Sequence, residues 1–342
     1  MLKNISSSDI KNNIKLQEAF LHASFKELKI NCNIYKGNFY LDSFNYFLIN
    51  EENNTFKNLF TRDVNQNNEH FFTQKFYDDF SKKIENFKEF RNVFVLGSNA
   101  ANNYDSNLLQ FLPRLFFLKD TEIKIAIHRN SSTKFREFIK LILDSNNVVF
   151  SYVYLDDGFY KFSECQIPQF FSLQKSIIIL KNFLVSQKSK AEDKKIYITR
   201  EDSTYRKIIN EADIVPILRS KGYKVINPQL YSISEQIEIF SAADKIIAPH
   251  GSNLSNIIFC KPGTEIYEIG PSFKKDYENV FEYRYKKLAE MTDLKYVRFL
   301  TDTVPIKNHP ELSYKYIDKY ILENSDYYKN LIVKIKDINE IE

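Results

Sequence analysis

The amino-acid sequence predicts an α/β fold of two domains, each a parallel sheet flanked by helices. Three observations carry that expectation. At 342 residues the chain exceeds the size that one hydrophobic core usually serves. Short apolar runs alternate with amphipathic helical runs in two series, which is how parallel β-α-β units read in sequence. Between the series, residues 186–195 form a Lys/Ser/Asp-rich stretch with no apolar period, the best place for a boundary. The expected division is a first domain over 1–185, a second over 186–305, and a tail over 306–342 whose helical pattern, 311–341, packs back on the first domain.

In chain order, the first ~90 residues are rich in Asn, Phe and Tyr with few clear periods, and residues 50–68 read as a polar loop. The pattern then sharpens. Val93-Phe94-Val95-Leu96-Gly97 is a short buried strand ending at glycine, residues 108–118 are an apolar helical run, and 123–127 form a second strand. An amphipathic helix over 133–143 and a strand over 148–154 complete the first series, and a long helix is expected within 168–190. The second series has strands at 196–199, 223–226, 245–248 and 265–269, with helices at 210–220, 234–243 and from 252 onward. Such a series is the signature of a doubly wound domain.

Composition narrows the function classes. A hydrophobic fraction of 43% and a charged fraction of 27% describe an ordinary globular protein, and 30 Phe with 22 Tyr supply apolar area for two cores. The net charge of +4 is spread along the chain, so the basic footprint of a nucleic-acid binder is missing. Cys32, Cys165 and Cys260 are odd in number and far apart, which fits neither a disulfide framework nor a zinc site and points to a reducing compartment. The first residues lack an apolar signal region and no run approaches the ~18 apolar residues that a bilayer span requires, so a cytoplasmic protein is expected.

The chemistry concentrates in one segment. The chain has only seven glycines, yet Gly251, Gly263 and Gly270 fall close together. Residues 245–249 read as a buried strand, His250-Gly251 as a sharp turn, and Ser252-Asn253-Leu254-Ser255-Asn256 as the first turn of a helix. Backbone N–H groups at such a helix start carry partial positive charge and bind phosphate, with Ser252, Asn253 and Ser255 able to add donors. The plainer alternative is a strand-to-helix turn with an ordinary Ser or Asn cap. The strand before Thr199 ends in Arg200, and the strand over 265–269 carries Glu268 near its end; in a doubly wound sheet these ends converge on one crevice. Arginine pairs with a diphosphate through its planar fork, and a carboxylate accepts both hydroxyls of a ribose. No G-x-G-x-x-G follows a strand and no P-loop occurs, so an NAD-linked dehydrogenase and P-loop enzymes lack positive support.

The stretch Ala248-Pro249-His250-Gly251-Ser252-Asn253-Leu254-Ser255-Asn256-Ile257-Ile258-Phe259, with Pro262-Gly263-Thr264-Glu265 and Glu268-Ile269, resembles the H-G-A-G-L-[ST]-N block of glycosyltransferase family 61. Upstream, Ile198-Thr199-Arg200, then Arg206 with Asn210-Glu211, and Ser234-Glu235-Gln236 with Phe240-Ser241-Ala242-Ala243, are similar to further segments of that family in order and spacing. Asn103-Tyr104 with Leu108 and Leu112-Pro113-Arg114-Leu115 resembles a fourth. The chain departs from the pattern at Ser106, where the family has His, at Gln110, where it has Asp, and at Ser252-Asn253, which replace Ala-Gly.

The resemblance implies an inverting glycosyltransferase of the GT-B type, with two Rossmann-like domains facing across a cleft. It implies a nucleotide-sugar donor in the second domain, held by Arg200, Arg206, Asn210, Glu235, His250, Gly251, Ser252, Asn253, Ser255, Asn256 and Glu268, and a glycan or glycolipid acceptor in the first. Inversion requires a general base on the acceptor side, and Asp105 and His128 are the candidates. Asp105 also reads as a simple helix cap, and His128 as a structural residue at a strand end. No D-x-D triplet occurs, so neither a metal nor any other cofactor is expected. The implied setting is bacterial surface polysaccharide or lipid-linked glycan synthesis, with peripheral contact at the inner face of the membrane for a lipid-held acceptor. A degenerate module that binds nucleotide or glycan without turnover is the alternative that Ser106 and Gln110 permit.

Overall fold

In a computed structural model of the chain the described residues are 14–20, 29–43, 47–50, 87–96, 103–118, 122–185, 192–271, 284–306 and 328–341. The chain divides into two compact units, Met1–Ile179 and Leu180–Glu342. The polar run over 51–68, the glycine expected to end the first strand, and most of the helix expected over 311–341 lie outside the described residues. Among the described residues no helix is long and apolar enough to cross a membrane.

The first unit contains β1 (Ile14–Phe20), β2 (Lys29–Asp42), β3 (Phe47–Asn50), β4 (Lys88–Arg91), β5 (Val93–Val95), β6 (Glu122–His128), α1 (Thr133–Ser145), β7 (Val149–Leu155) and β8 (Phe159–Pro168), with α2 (Leu173–Leu184) crossing into the second. Its sheet runs β1-β2-β8-β5-β6-β7, with β3 on β2 and β4 on β8. The β5-β6-β7 part is parallel, as the alternating pattern predicts. The β1-β2-β3 part is antiparallel, and β2 also runs antiparallel to β8, which corrects the expectation of a purely parallel sheet. The reason is readable in β2. Its apolar residues fall at even positions up to Ile34 and at odd positions from Phe39, and the pairing shifts register between Gly37 and Phe39. The extra residue at that shift is on β8, where Ser163 and Glu164 stand opposite Asn38, and the change of apolar phase along β2 hides the strand from a search for steady alternation.

Between β5 and β6 runs one helical segment, α-helical over Tyr104–Ser106, widened to a π turn over Asn107–Phe111 and tightened to 3-10 over Leu112–Phe117. Pro113 explains the tightening, since it cannot donate to an i→i−4 bond. Arg114 is fully buried here; its Nε donates to the Pro168 carbonyl at 3.0 Å, its Nη2 to the Val95 carbonyl at 3.3 Å, and its guanidinium lies 4.6 Å from the Phe170 ring. It joins the carboxyl ends of β5 and β8. Helix α1 starts at Ser132, whose hydroxyl accepts from the Phe135 amide, and buries Phe135, Phe138, Ile139 and Ile142 on one face.

The second unit contains β9 (Lys195–Ile198), α3 (Glu211–Ser220), β10 (Lys224–Ile226), α4 (Ile233–Ala242), β11 (Lys245–Pro249), a 3-10 helix (Ser252–Phe259), β12 (Glu265–Pro271), α5 (Arg284–Met291), β13 (Lys295–Val304), β14 (Asn330–Ile332) and α6 (Ile335–Asn339). Its sheet runs β10-β9-β11-β12-β13-β14, and every pair is parallel except β13 with β14. Chain direction across the sheet therefore reverses between β9 and β11. In open α/β sheets ligands bind beyond the carboxyl ends of the strands at such a reversal. The core is built on Tyr197, Ile247 and Ile269 from the sheet and Ile214 and Leu218 from α3.

Residues 330–332 are a strand and 335–339 a short helix, where a continuous helix was expected; Leu331, Val333, Ile338 and Ile341 join the core of the second unit.

Replacing Arg114 by Met should leave two buried carbonyls without their donor and cost the first unit about 3 kcal/mol or more. The chain has no Trp, so tyrosine fluorescence during urea unfolding is the readout; an unchanged midpoint would contradict the role assigned to this arginine.

Candidate functional site

The carboxyl end of β11 turns at His250 and Gly251. Gly251 has extended backbone, φ 171° and ψ 166°, which any residue adopts, so its need for glycine is one of space. A Cβ there would lie 1.8 Å from Nη1 of Arg200, meaning that the Arg200 guanidinium, from the end of β9, rests on the Gly251 Cα. The helix that follows is 3-10 rather than α, opening with the Leu254 amide donating to the Gly251 carbonyl at 2.9 Å. Its short side chains account for that: Ser252, Asn253, Ser255 and Asn256 compete for backbone partners and weaken an α turn.

Behind the corner stands a closed polar cluster. Glu268 on β12 is fully buried. Its Oε1 meets Nδ1 of His250 at 2.5 Å and lies 3.6 Å from Nε of Arg298, and its Oε2 accepts from the Tyr296 hydroxyl at 2.5 Å. An ionised carboxylate only accepts, so His250 donates from Nδ1. Burial lowers the His250 pKa to about 4, Glu268 opposes that shift, and the charges of Arg206 and Arg298 add to it. The ring is therefore neutral near pH 7. Burial alone would raise Glu268, but His250, Arg298 and Tyr296 together hold it below the usual carboxylate value. The Tyr285 ring meets the His250 ring edge-on at 5.1 Å, fixing its plane.

Arg200, Arg206 and the Arg298 side chain are each at least nine-tenths buried, Arg200 resting on Gly251, Arg298 lying beside Glu268 and the charge of Arg206 acting on His250. Arg298 also donates from Nη2 to the Pro271 carbonyl at 2.8 Å and presses on Gly270, where a Cβ would lie 3.1 Å from it.

The structure brings Arg200, His250, Gly251 and Glu268 together, with Ser252 and Asn253 half-buried beside them. Glu268 faces inward onto its three partners rather than outward as a ribose ligand would. Other members of the expected donor set serve the scaffold. Asn256 donates to the Gln236 carbonyl oxygen at 3.1 Å, tying the 3-10 helix to α4. Glu235 closes a capping box with Ser232 at the start of α4. The Asn210 side chain bonds the Val333 backbone in both directions, at 2.8 and 3.0 Å. Its neighbour Glu211 accepts from Tyr197 at 2.6 Å and Thr199 at 2.9 Å.

In the first unit, Asp105 and His128 follow the carboxyl ends of the adjacent parallel strands β5 and β6. Asp105 is 1% exposed in a first turn capped by Asn103, whose side chain accepts from the Ser106 amide at 3.2 Å. His128 has both ring nitrogens engaged: Nδ1 accepts from the Asn130 amide at 3.2 Å, leaving Nε2 to donate to Asp157 at 3.1 Å. Ser106 and Gln110, the departures from the family pattern in the first unit, touch each other through Oγ and Nε2 at 3.4 Å. Among the described residues no group of three or more His, Cys, Asp or Glu is placed to hold a metal ion.

Sequence reasoning missed Tyr285, Tyr296 and Arg298. The last two carried a signal, since Tyr296-Val297-Arg298-Phe299 has the aromatic and β-branched composition of a strand, which sets Tyr296 and Arg298 on one face. What sequence could not show is the register, which sets Arg298 beside Glu268.

The family model described as Glycosyltransferase 61 matches residues 55–267, well over half of the chain. The chain belongs to that family, and it is a glycosyltransferase by class, built on mixed α/β units with parallel strands and flanking helices. A search of curated proteins finds no match to it. β13, β14 and α5 lie beyond the matched residues.

Burial of neutral His250 makes the fold sensitive to acid. Its folded value of about 4 lies below the ordinary value near 6.5, so between these the unfolded chain binds a proton that the folded chain refuses. The stability is complete above about pH 6.5 and is lost as pH falls toward 4, by up to about 3 kcal/mol, with Glu268 adding loss in the same direction below its own ordinary value. Melting temperatures at about pH 7.5 and pH 5 should therefore diverge more for the native protein than for His250→Asn; equal divergence would remove His250 as the cause.

Proposed function

We propose that the chain is an inverting glycosyltransferase whose nucleoside diphosphate sugar binds at the corner formed by Arg200, Arg206 and residues 250–255. The observation that carries this reading is the placement of the Arg200 guanidinium at the point where the sheet reverses direction, against a glycine whose missing Cβ lets that group reach the backbone. In the reaction an acceptor hydroxyl oxygen attacks the anomeric carbon while the bond from that carbon to the diphosphate oxygen breaks from the opposite face. The leaving diphosphate keeps the electron pair. Guanidinium groups and the first amides of the 3-10 helix stabilise the charge that develops there, so the reaction as we read it needs no metal. His250, held neutral by its bond to Glu268, can orient the donor without adding a charge.

The hydroxyl proton goes to a base. We assign Asp105 to this role in a GT-B enzyme whose first unit takes a glycan or glycolipid acceptor, because it sits in the family-like segment beside Asn103-Tyr104. The Ser106–Gln110 contact favours a second reading, a module that binds nucleotide without transfer, since a neutral pair stands where the family pattern has His and Asp.

Two experiments test the assignments. Arg200→Ala and Gly251→Ala should each weaken binding of UDP, GDP, TDP, CDP or CMP, whichever binds best in a thermal-shift screen, by about tenfold or more. Gly251→Ala should do so with little change in melting temperature, because only the end of the Arg200 side chain must move. An unchanged dissociation constant in both variants would take the diphosphate away from this corner. Asp105→Asn should abolish sugar transfer, with a loss of about a hundredfold or more, and keep nucleotide affinity, whereas His128→Asn should retain most of the rate; the reverse pattern would exchange their roles, and nucleotide binding without transfer by the native protein across a broad donor panel would establish the second reading.

A further inference from the structure

Residues 328–333 lie beyond the family match, yet they are bonded along their length to residues 205–210, the stretch that carries Arg206. Arg206 has φ +58°, the left-handed region where a side-chain-bearing residue is strained and glycine would be at ease. Such a conformation persists only where the surroundings over-determine it. Here they do. The Arg206 amide donates to the Lys329 carbonyl at 2.9 Å and the Lys207 amide to Oδ1 of Asn330 at 3.1 Å, so the amides on both sides of the Arg206 Cα are fixed. The Leu331 amide donates to the Lys207 carbonyl and the Ile209 amide to the Leu331 carbonyl, each at 2.9 Å. Tyr328 meets the Tyr205 ring edge-on at 5.4 Å.

The same turn organises both arginines. The Arg206 guanidinium lies 4.8 Å from the Tyr205 ring, and Nη2 of Arg200 donates to the Tyr205 carbonyl at 3.4 Å. We infer that residues 328–333 are a clamp that positions Arg206, and through Tyr205 also Arg200, for the anionic group of the donor, with Asn330 as its positioning residue. The inference rests on the donor site proposed above. It explains why an arginine stands where glycine would suit the backbone: the side chain is needed there, and a separate segment of chain holds it in place.

Asn330→Ala removes one clamp bond without touching the site, and Asn330→Asp keeps the accepting oxygen. In the full chain, hydrogen exchange at the amides of Arg206, Lys207 and Ile209 should quicken about tenfold in Asn330→Ala while the amides of β9 and β11 keep their protection. Affinity for UDP, GDP, TDP or CDP, and for inorganic pyrophosphate, should fall about fivefold or more, and Asn330→Asp should restore both readouts. Native affinity in Asn330→Ala, whether or not exchange quickens, overturns the clamp and leaves the donor site standing. A general loss of protection, or failure of Asn330→Asp to rescue, assigns Asn330 a merely structural part and equally overturns it. If the native protein binds neither pyrophosphate nor any of these nucleotides, the donor site itself fails and the clamp with it.

Discussion

The carboxylate of Glu268 is the constraint on which the second unit depends. Fully enclosed on a central strand, it is the counter-charge that allows Arg298 to be buried, the acceptor that fixes the tautomer of His250, and the partner of the Tyr296 hydroxyl. A buried charge is tolerated only when paired and hydrogen-bonded on all sides, and removing one member leaves the others exposed to the full cost of desolvation. The cluster is thus a single object. It backs the turn after β11, where Arg200 lies on Gly251.

Many of the residues that resemble the family pattern are engaged within the fold. Glu235 caps a helix, Asn256 ties two helices, Asn210 and Glu211 bind backbone and strand-end groups, and Arg114 joins two strands. Their residue types are those a substrate site would also use, because a buried backbone carbonyl and a phosphate both call for placed donors and acceptors.

The fold was legible wherever apolar runs were short, buried and steadily periodic. β6, β9, β11, β12 and α1 stand within a residue or two of where the sequence puts them. Legibility failed for identifiable reasons. The phase of alternation changes inside β2, so no single period spans it. Residues 330–335, Asn-Leu-Ile-Val-Lys-Ile, are dense enough in apolar side chains to fit a helix, while the structure buries Leu331 and Val333 alternately, as a strand does. Of the site, Arg200, His250, Gly251 and Glu268 were legible because they end strands of a doubly wound series; the inward turn of Glu268 was not, since it depends on Tyr296 and Arg298 arriving from β13 in register.

The contact between Ser106 and Gln110 bears on how the two departures in the first unit relate. Side chains that touch one turn apart share an environment, so a change at one alters what the other must satisfy. A charged pair losing one member would strand the remaining group in a protein interior, whereas an exchange of both for hydroxyl and amide leaves each with a neutral partner. The two positions then read as one coupled replacement rather than two independent ones, joined by a single contact on successive turns of the first unit.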